Sequence, residues 1–295
     1  MKNTLRNPYV YLLFIVPTIT LYGLFFIWPM LTSAYYAFTD YVGLEGYHYV
    51  GFDNFDKAFG DPDFVASIKR NLIFIVFSVF IQVPLIIFFS LLISNVKKLQ
   101  GFYKTTVFMP SILSTSVIGI LWGYIYHPDI GLLNNILKIF GVDPVYWLAE
   151  TRWPLPLLSI LITNAWQWMG FYIVLILAAI FTIPKEINEA AEIDGATGMQ
   201  KAVYLTVPLI KPIISVVIML SIAGALRVVD IVLVMTNGGP AGETDVMASF
   251  MVNQSLTLGQ YGYATAITMI IFAFALILTG LYQLSFGRQS ERIEY

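Results

Sequence analysis

Arg227 and Asp230 are the residues in this chain whose types and spacing most need a chemical explanation. They stand three apart in the apolar stretch 213–235, which puts them on one face if that stretch is a single helix. A charge at mid-bilayer costs roughly 2.5–3.5 kcal/mol on insertion scales, so each needs a partner or a purpose. The two can pair with each other towards a bundle interior, or line a hydrated path and meet a polar solute. Asn164 and Gln167, in the apolar stretch 155–181, pose the same choice between interhelical hydrogen bonding and solute contact.

Catalytic motifs do not accompany them. The chain has no G-x-x-x-x-G-K-S/T, hence no P-loop for a nucleotide. It has no G-x-S-x-G and no H-E-x-x-H to support an intramembrane hydrolase. His48 and His127 are isolated, with no second His or Cys at metal spacing. The absence of cysteine excludes disulfides, thiolate metal sites and thiol catalysis. A net charge of −2 argues neither for a nucleic-acid partner nor for a polybasic membrane-surface protein, and no nucleic-acid partner is expected.

The elements that must position these residues are membrane spans. Hydrophobic residues make up 58% of 295 positions and charged ones 12%, with a mean hydropathy of +0.76. Soluble domains carry about 25% charged residues, so this is a bilayer composition. Crossing ~30 Å of hydrocarbon takes about 20 apolar residues in a helix. Six stretches qualify, at 10–30, 71–93, 107–126, 155–181, 213–235 and 264–286, and together they predict one all-α membrane domain over residues 1–295. The first follows Lys2 and Arg6 as a signal peptide would. It is too long for a signal h-region and no A-x-A-like site follows promptly, so it reads as a transmembrane helix. The third holds Ser111, Ser114, Thr115 and Ser116, whose hydroxyls can bond back to the helix or across to a neighbour. Pro17, Pro29, Pro84 and Pro110 lie in or at the edges of spans, where neighbours must satisfy the freed carbonyls.

Basic residues set the orientation. With the N-terminus inside, the inner segments hold Lys2, Arg6, Lys97, Lys98, Lys104, Lys185, Lys201, Lys211, Arg288 and Arg292; the outer loops hold only Lys57, Lys69, Arg70, Lys138 and Arg152. Acids crowd the first outer loop instead, at Asp40, Glu45, Asp53, Asp56, Asp61 and Asp63. Both termini are thus expected to be cytoplasmic. The outer-loop aromatics Tyr35, Tyr36, Tyr41, Tyr47, Tyr49, Tyr146, Trp147 and Trp153 are expected to form an interfacial belt.

The loop 182–212 falls on the inner side. From Pro184 it reads PKEINEAAEIDGATGMQKAVYLTVPLIKP. Acids alternate with alanines in a helical run, Gly195 and Gly198 break it, a second short run follows, and Pro208 and Pro212 punctuate the return to apolar sequence. A membrane protein can turn around with far less. Ala190 and Ala191 permit close approach of another backbone and the flanking acids offer charge-assisted contacts, so the segment reads as a docking element.

The run Glu189-Ala190-Ala191-Glu192-Ile193-Asp194-Gly195-Ala196, followed by Leu205-Thr206-Val207-Pro208-Leu209 and Pro212, resembles the EAA motif of ABC importer permeases. Asp230 through Thr236-Asn237-Gly238-Gly239-Pro240 resembles the F-D-x-x-x-x-x-T-x-G-G-P of carbohydrate-type permeases. Asp129-Ile130-Gly131-Leu132-Leu133-Asn134 with Gly141 is similar to their outer-loop D-x-G-x-x-N, and Tyr261-Gly262-Tyr263-Ala264-Thr265-Ala266 also fits. The likeness covers essentially the whole chain and is nearest to MalF-like sugar permeases in a short six-helix form.

That resemblance implies a type I importer fold and a set of partners. These are a second related permease, a cytoplasmic ATPase dimer that binds ATP and Mg, an extracytoplasmic solute-binding protein, and a sugar or oligosaccharide. It implies no cofactor and no catalysis in this chain, which would sit in the bacterial cell membrane. By position, Glu189, Ala190, Ala191, Asp194 and Gly195 couple to the ATPase, with Gly195 supplying the turn between two short helices. Solute contacts are expected on Gln167, Trp168, Gly170 and Phe171 of the fourth span and on Ser221, Ala225, Arg227, Val228 and Asp230 of the fifth. The chain departs from the family at Ala202, where an aromatic is usual, with Tyr204 two residues on. It departs again at Leu226 and Val229, where phenylalanines are frequent. Arg227 also raises an acidic, uronate-containing oligosaccharide, because guanidinium matches carboxylate geometry. The alternatives are another polar solute, such as a polyol or glycerol-phosphate compound, on the same architecture, and a secondary transporter coupled through Asp230.

Overall fold

The computed structural model describes residues 8–43, 46–96, 98–149 and 154–287. Lys2, Arg6, Glu45, Lys97, Arg152, Trp153, Arg288 and Arg292, all used in reading topology, lie outside those residues. Helix α1 (Pro8–Tyr22) passes through a π turn at Gly23–Ile27 into α2 (Trp28–Tyr36), and α3 (Asp53–Gly60) follows. Helix α4 (Pro62–Phe77) runs through a π turn at Ser78–Gln82 into α5 (Val83–Ser94). Then come α6 (Gln100–Ile112), α7 (Thr115–Ile125), α8 (Leu132–Ile139), α9 (Leu155–Phe181) and α10 (Lys185–Ile193). Next, α11 (Gly198–Gln200) continues through a π turn at Lys201–Thr206 into α12 (Val207–Leu209). The chain closes with α13 (Lys211–Leu226), α14 (Asp230–Met235), α15 (Met247–Val252) and α16 (Tyr261–Tyr282). Extended pairing among the described residues is limited to an isolated bridge between Thr39 and Tyr49.

Among the described residues, four helical stretches are long and apolar enough to cross a membrane: Leu12–Tyr36, Pro62–Ser94, Leu155–Phe181 and Tyr261–Ser285. Two more candidates are bent pairs. Helices α6 and α7 meet at 99°, and Gly198–Leu209 meets α13 at 71°. The expectation of an unbroken third span at 107–126 therefore needs correction. Leu113 and Ser114 take extended backbone angles, which ends α6 just beyond Pro110 and restarts the chain in a new direction. The stretch 213–235 is likewise not one helix: α13 stops at Leu226, and Val229 at φ −143° and ψ −52° separates it from α14. The second span, expected to start at residue 71, is a 33-residue helical run from Pro62. At 1.5 Å per residue it is ~50 Å long, so the charges of Asp63, Lys69 and Arg70 end the apolar stretch without ending the helix.

The chain divides into two compact units, one of residues up to Pro62 with Met251–Ile270, the other of Asp63–Phe250 with the chain from Ile271 onward. In the first unit, the described side chains from Leu12 to Tyr36 are nowhere buried. Beyond them an aromatic cluster forms. Tyr36 stacks on Tyr41 with ring centroids 4.4 Å apart, and Tyr47 meets Tyr35, Tyr36 and Tyr41 edge-on. Asn54 donates to the carbonyls of Ala37 and Thr39, and Gly262 N–H donates to Tyr41 O at 2.7 Å, where a side chain on residue 262 would strike Thr39 O. These tyrosines pack on one another, an arrangement that the belt expectation did not include.

Apolar clusters among the described residues pack the second unit. One joins Phe74, Ile118, Leu157, Ile160, Ile231 and Val232; another joins Val83, Ile86, Ile173, Ile176, Ile183, Ile210 and Val217. Gly170 lets α9 lie directly on α6, because a Cβ there would stand 1.7 Å from Val107 O. Asn71, fully buried, accepts from Met247 N at 2.7 Å and donates to Ala225 O at 2.8 Å, tying α4 to the end of α13 and the start of α15.

Candidate functional site

A cavity of about 450 Å³ opens in the second unit, within the range of small-molecule sites. Helix α9 contributes Asn164, Trp168, Phe171 and Tyr172, whose spacing of four, three and one keeps them on one face. Helix α13 contributes Ser221, Gly224 and Ala225, small residues that leave the space open. Ser78 and Gln82 come from a π turn and Thr115 from the first turn of α7. Arg227, Val228 and Val229 line it from the break, and Asp230 and Ile231 from α14.

The break explains how two charges are held here. Arg227 sits at the C-terminal end of α13, its N–H bonded to Gly224 O at 3.1 Å, and Asp230 is the first residue of α14. Each charge thus meets the helix end of complementary dipole, an effect of about 0.3–1 kcal/mol where the site is exposed. The expectation that they share one helical face is corrected, since no continuous helix joins them. Nor do they pair: among the described residues neither side chain makes a hydrogen bond or an ion pair. Both side chains are exposed on the cavity wall.

Of the expected solute contacts, Trp168, Phe171, Ser221, Ala225, Arg227, Val228 and Asp230 come together around this cavity. Gln167 and Gly170 do not line it. Gln167 is 1% exposed, and its Nε2 donates to Thr115 Oγ1 at 3.1 Å and Leu113 O at 3.4 Å. The amide thereby bonds to the backbone where α6 and α7 part. Gly170 is the contact glycine against Val107 already described. Tyr172 and Asn164 line the cavity beside Trp168, four residues to either side of it; the helical period alone would have added Tyr172 to the expected set.

Loop 182–212 forms two short helices with defined ends. Helix α10 closes in a Schellman turn: Ala196 N donates to Ala191 O at 2.9 Å, Gly195 N to Glu192 O at 3.0 Å, and Gly195 takes φ +78°. Thr197 then opens α11 with a capping box to Gln200, whose side chain accepts from Thr197 N at 2.8 Å. Lys201 Nζ lies 2.7 Å from Glu192 Oε1 and links the two runs. Glu189, Ala190, Asp194 and Gly195 are exposed and Ala191 is half-buried. Ile193 at 86% exposure, Met199 at 73% and Tyr204 at 79% leave an apolar surface uncovered, while Ala202 is half-buried. Both roots are fixed: Ile183 and Ile210 are buried in one cluster, with Ile187 and Leu209 against it.

The remaining motif residues hold backbone. Asn134 donates to Pro128 O and Val145 O, both at 2.9 Å, and accepts from Val145 N and Trp147 Nε1, both at 3.1 Å. Gly238, at φ +83°, leaves room for the Asp245 carboxylate, and Thr236 Oγ1 lies 2.7 Å from Thr244 Oγ1. Burial pushes the Asp245 carboxyl above its ordinary value, against the opposing hydrogen bond from Ser249 and the charge of Arg70. The Asp40 carboxyl is held below its ordinary value, chiefly by the backbone N–H of His48.

Residues 64–290 match the family described as binding-protein-dependent transport system inner membrane component. The chain is 30% identical over 286 residues to the probable ABC transporter permease protein YurN of Bacillus subtilis, covering 95% of this chain and 97% of that one. It is 32% identical over 278 residues to the trehalose/maltose transport system permease protein MalF of Thermococcus litoralis, covering 94% and 92%. Among solved structures, a chain of a bacterial alginate ABC transporter, in complex with an alginate pentasaccharide-bound periplasmic protein, superposes with a TM-score of 0.85. The identity is 27%, over 98% of this chain and 97% of that one.

Proposed function

Because this chain belongs to the family of binding-protein-dependent transport system inner membrane components, we propose that it forms half of the membrane path of a sugar or oligosaccharide importer. It is an ABC transporter permease, and permeases of sugar systems stand among its relatives. The segment 182–212 carries this reading furthest: two capped helices, rooted in the core at Ile183 and Ile210, present Ile193, Met199 and Tyr204 to a partner. In the assembly the bent pairs count as spans, giving six, with both termini and this segment in the cytoplasm. A second, related permease completes the path. Each permease seats its segment in a groove on one subunit of an ATPase dimer, which binds ATP and Mg. Closure of the ATPases carries the two segments together and turns the cavity outward to a solute-binding protein; hydrolysis resets it. Glu189, Ala190, Ala191, Asp194 and Gly195 form the contact.

The test is co-purification with the ATPase followed by solute-dependent ATP hydrolysis. Glu189→Lys and Gly195→Trp are each expected to abolish that hydrolysis while the protein still inserts. A Cβ on residue 195 meets open space, but the φ of +78° strains any side chain there, so the change disturbs the turn as well as adding bulk at the docking face. Hydrolysis that survives both changes would show the coupling assignment to be wrong.

A further inference from the structure

The cavity is lined by both aromatic and charged side chains. Trp168, Phe171 and Tyr172 supply ring faces, the surface that the apolar side of a sugar ring packs against. Opposite in chemistry stand Arg227 and Asp230, neither of them with a hydrogen-bonding or ionic partner among the described residues. Ser221 Oγ is buried beside the Tyr172 hydroxyl on the cavity wall.

Resting on the reading of this cavity as part of a sugar path, we infer that Arg227 selects a sugar carrying a carboxylate, a hexuronic acid unit. Guanidinium and carboxylate match as two parallel hydrogen bonds, a geometry that a hydroxyl cannot reproduce. Arg227 stands at a helix end with its head exposed to the cavity, so no internal pair has to be broken before it takes a ligand. Asp230 supplies the opposite charge and accepts from sugar hydroxyls. With one cation and one acid, the wall suits a monoanion on a polyol frame better than a doubly charged phosphate ester. Ser221 Oγ adds a hydroxyl-scale contact at the foot of the cavity.

The experiment uses the whole transporter in proteoliposomes with its binding protein and ATPase. Uptake of an oligouronate is measured against the same oligosaccharide with its carboxyls reduced to neutral alcohols. The parent is expected to prefer the acidic form. Arg227→Gln should lower the acidic-to-neutral ratio about tenfold, the scale of one charge-assisted contact. Arg227→Lys, which keeps the charge and loses the fork, should fall between. A parent that prefers the neutral sugar overturns the inference, as does a ratio unchanged in Arg227→Gln, and both leave the sugar-path reading standing. Equal loss of both sugars in Arg227→Gln and Arg227→Lys would assign the residue to structure and also overturns it. Transport of neither sugar by the parent counts instead against the sugar-path reading.

Discussion

Asn71 Oδ1 accepts the backbone N–H of Met247 at 2.7 Å, across 176 residues of sequence. Its Nδ2 donates to Ala225 O at 2.8 Å, so one buried amide serves two distant backbone groups. Asn71→Ala leaves both groups without partners, at a cost of about 1–3 kcal/mol for each that water cannot reach. The thermal unfolding midpoint of the purified protein in detergent is expected to fall well below the parent's. An unchanged midpoint would mean that water replaces the amide.

Gly170→Ala tests the approach of α9 to α6. The new methyl would lie 1.7 Å from Val107 O and 2.4 Å from Val107 C, and backbone cannot step aside as a flexible side chain can. Overpacking of this kind costs typically 1–3 kcal/mol and sometimes more. Folded yield and melting midpoint should both drop. Parent-like values for both would show that the two helices separate freely.

Lys201 and Glu192 link the short helices at an exposed site, where a single ion pair contributes about 0–1 kcal/mol. Lys201→Glu is therefore expected to leave the melting midpoint nearly unchanged and to reduce solute-dependent ATP hydrolysis. The exchange Glu192→Lys with Lys201→Glu should restore part of it. A double variant no better than the single one would assign the loss to contact with the ATPase and not to the link.

Asp245 gives a pH prediction. Its folded pKa lies above its unfolded one because burial disfavours the charge. The folded state therefore holds the proton more tightly, and the ionised carboxylate costs stability at pH above the folded value. That cost fades as pH falls through the folded pKa towards the unfolded one. Asp245→Asn removes the titration and keeps an oxygen to accept from Ser249. The variant's midpoint relative to the parent should be higher at pH 8 than at a pH near the ordinary carboxylate value of 3.8; an equal difference at both would sink the assignment.

The apolar stretches are legible in the sequence because composition decides them, and loop 182–212 is legible because its glycines and capping residues fall at fixed offsets. The breaks at Leu113 and Arg227 are not. Neither carries a proline or glycine at the turn itself, and the polar residues there, Ser114 and Thr115 in one case and Arg227 and Asp230 in the other, sit inside longer apolar stretches. What holds the first lies 52 residues on, where the Gln167 side chain donates to Thr115 Oγ1. For the same reason Gln167 reads as a solute contact from its span alone, whereas in the fold its amide nitrogen is already engaged. Gly131 and Gly238 belong to motifs, yet the need for glycine shows only in space: a Cβ would strike His127 O in one case and Asp245 Oδ1 in the other.

Ile183 and Ile210 enter the same apolar cluster, and between them the chain is helix, Schellman turn, capping box and helix, cross-linked by Lys201 and Glu192. Such a segment has little slack. Its two roots, Ile183 and Ile210, adjoin the end of α9 and the start of α13. Those two helices carry Trp168 and Ser221, so under the proposed docking a partner that holds the tip of the segment would bear, through its two roots, on the helices that line the cavity.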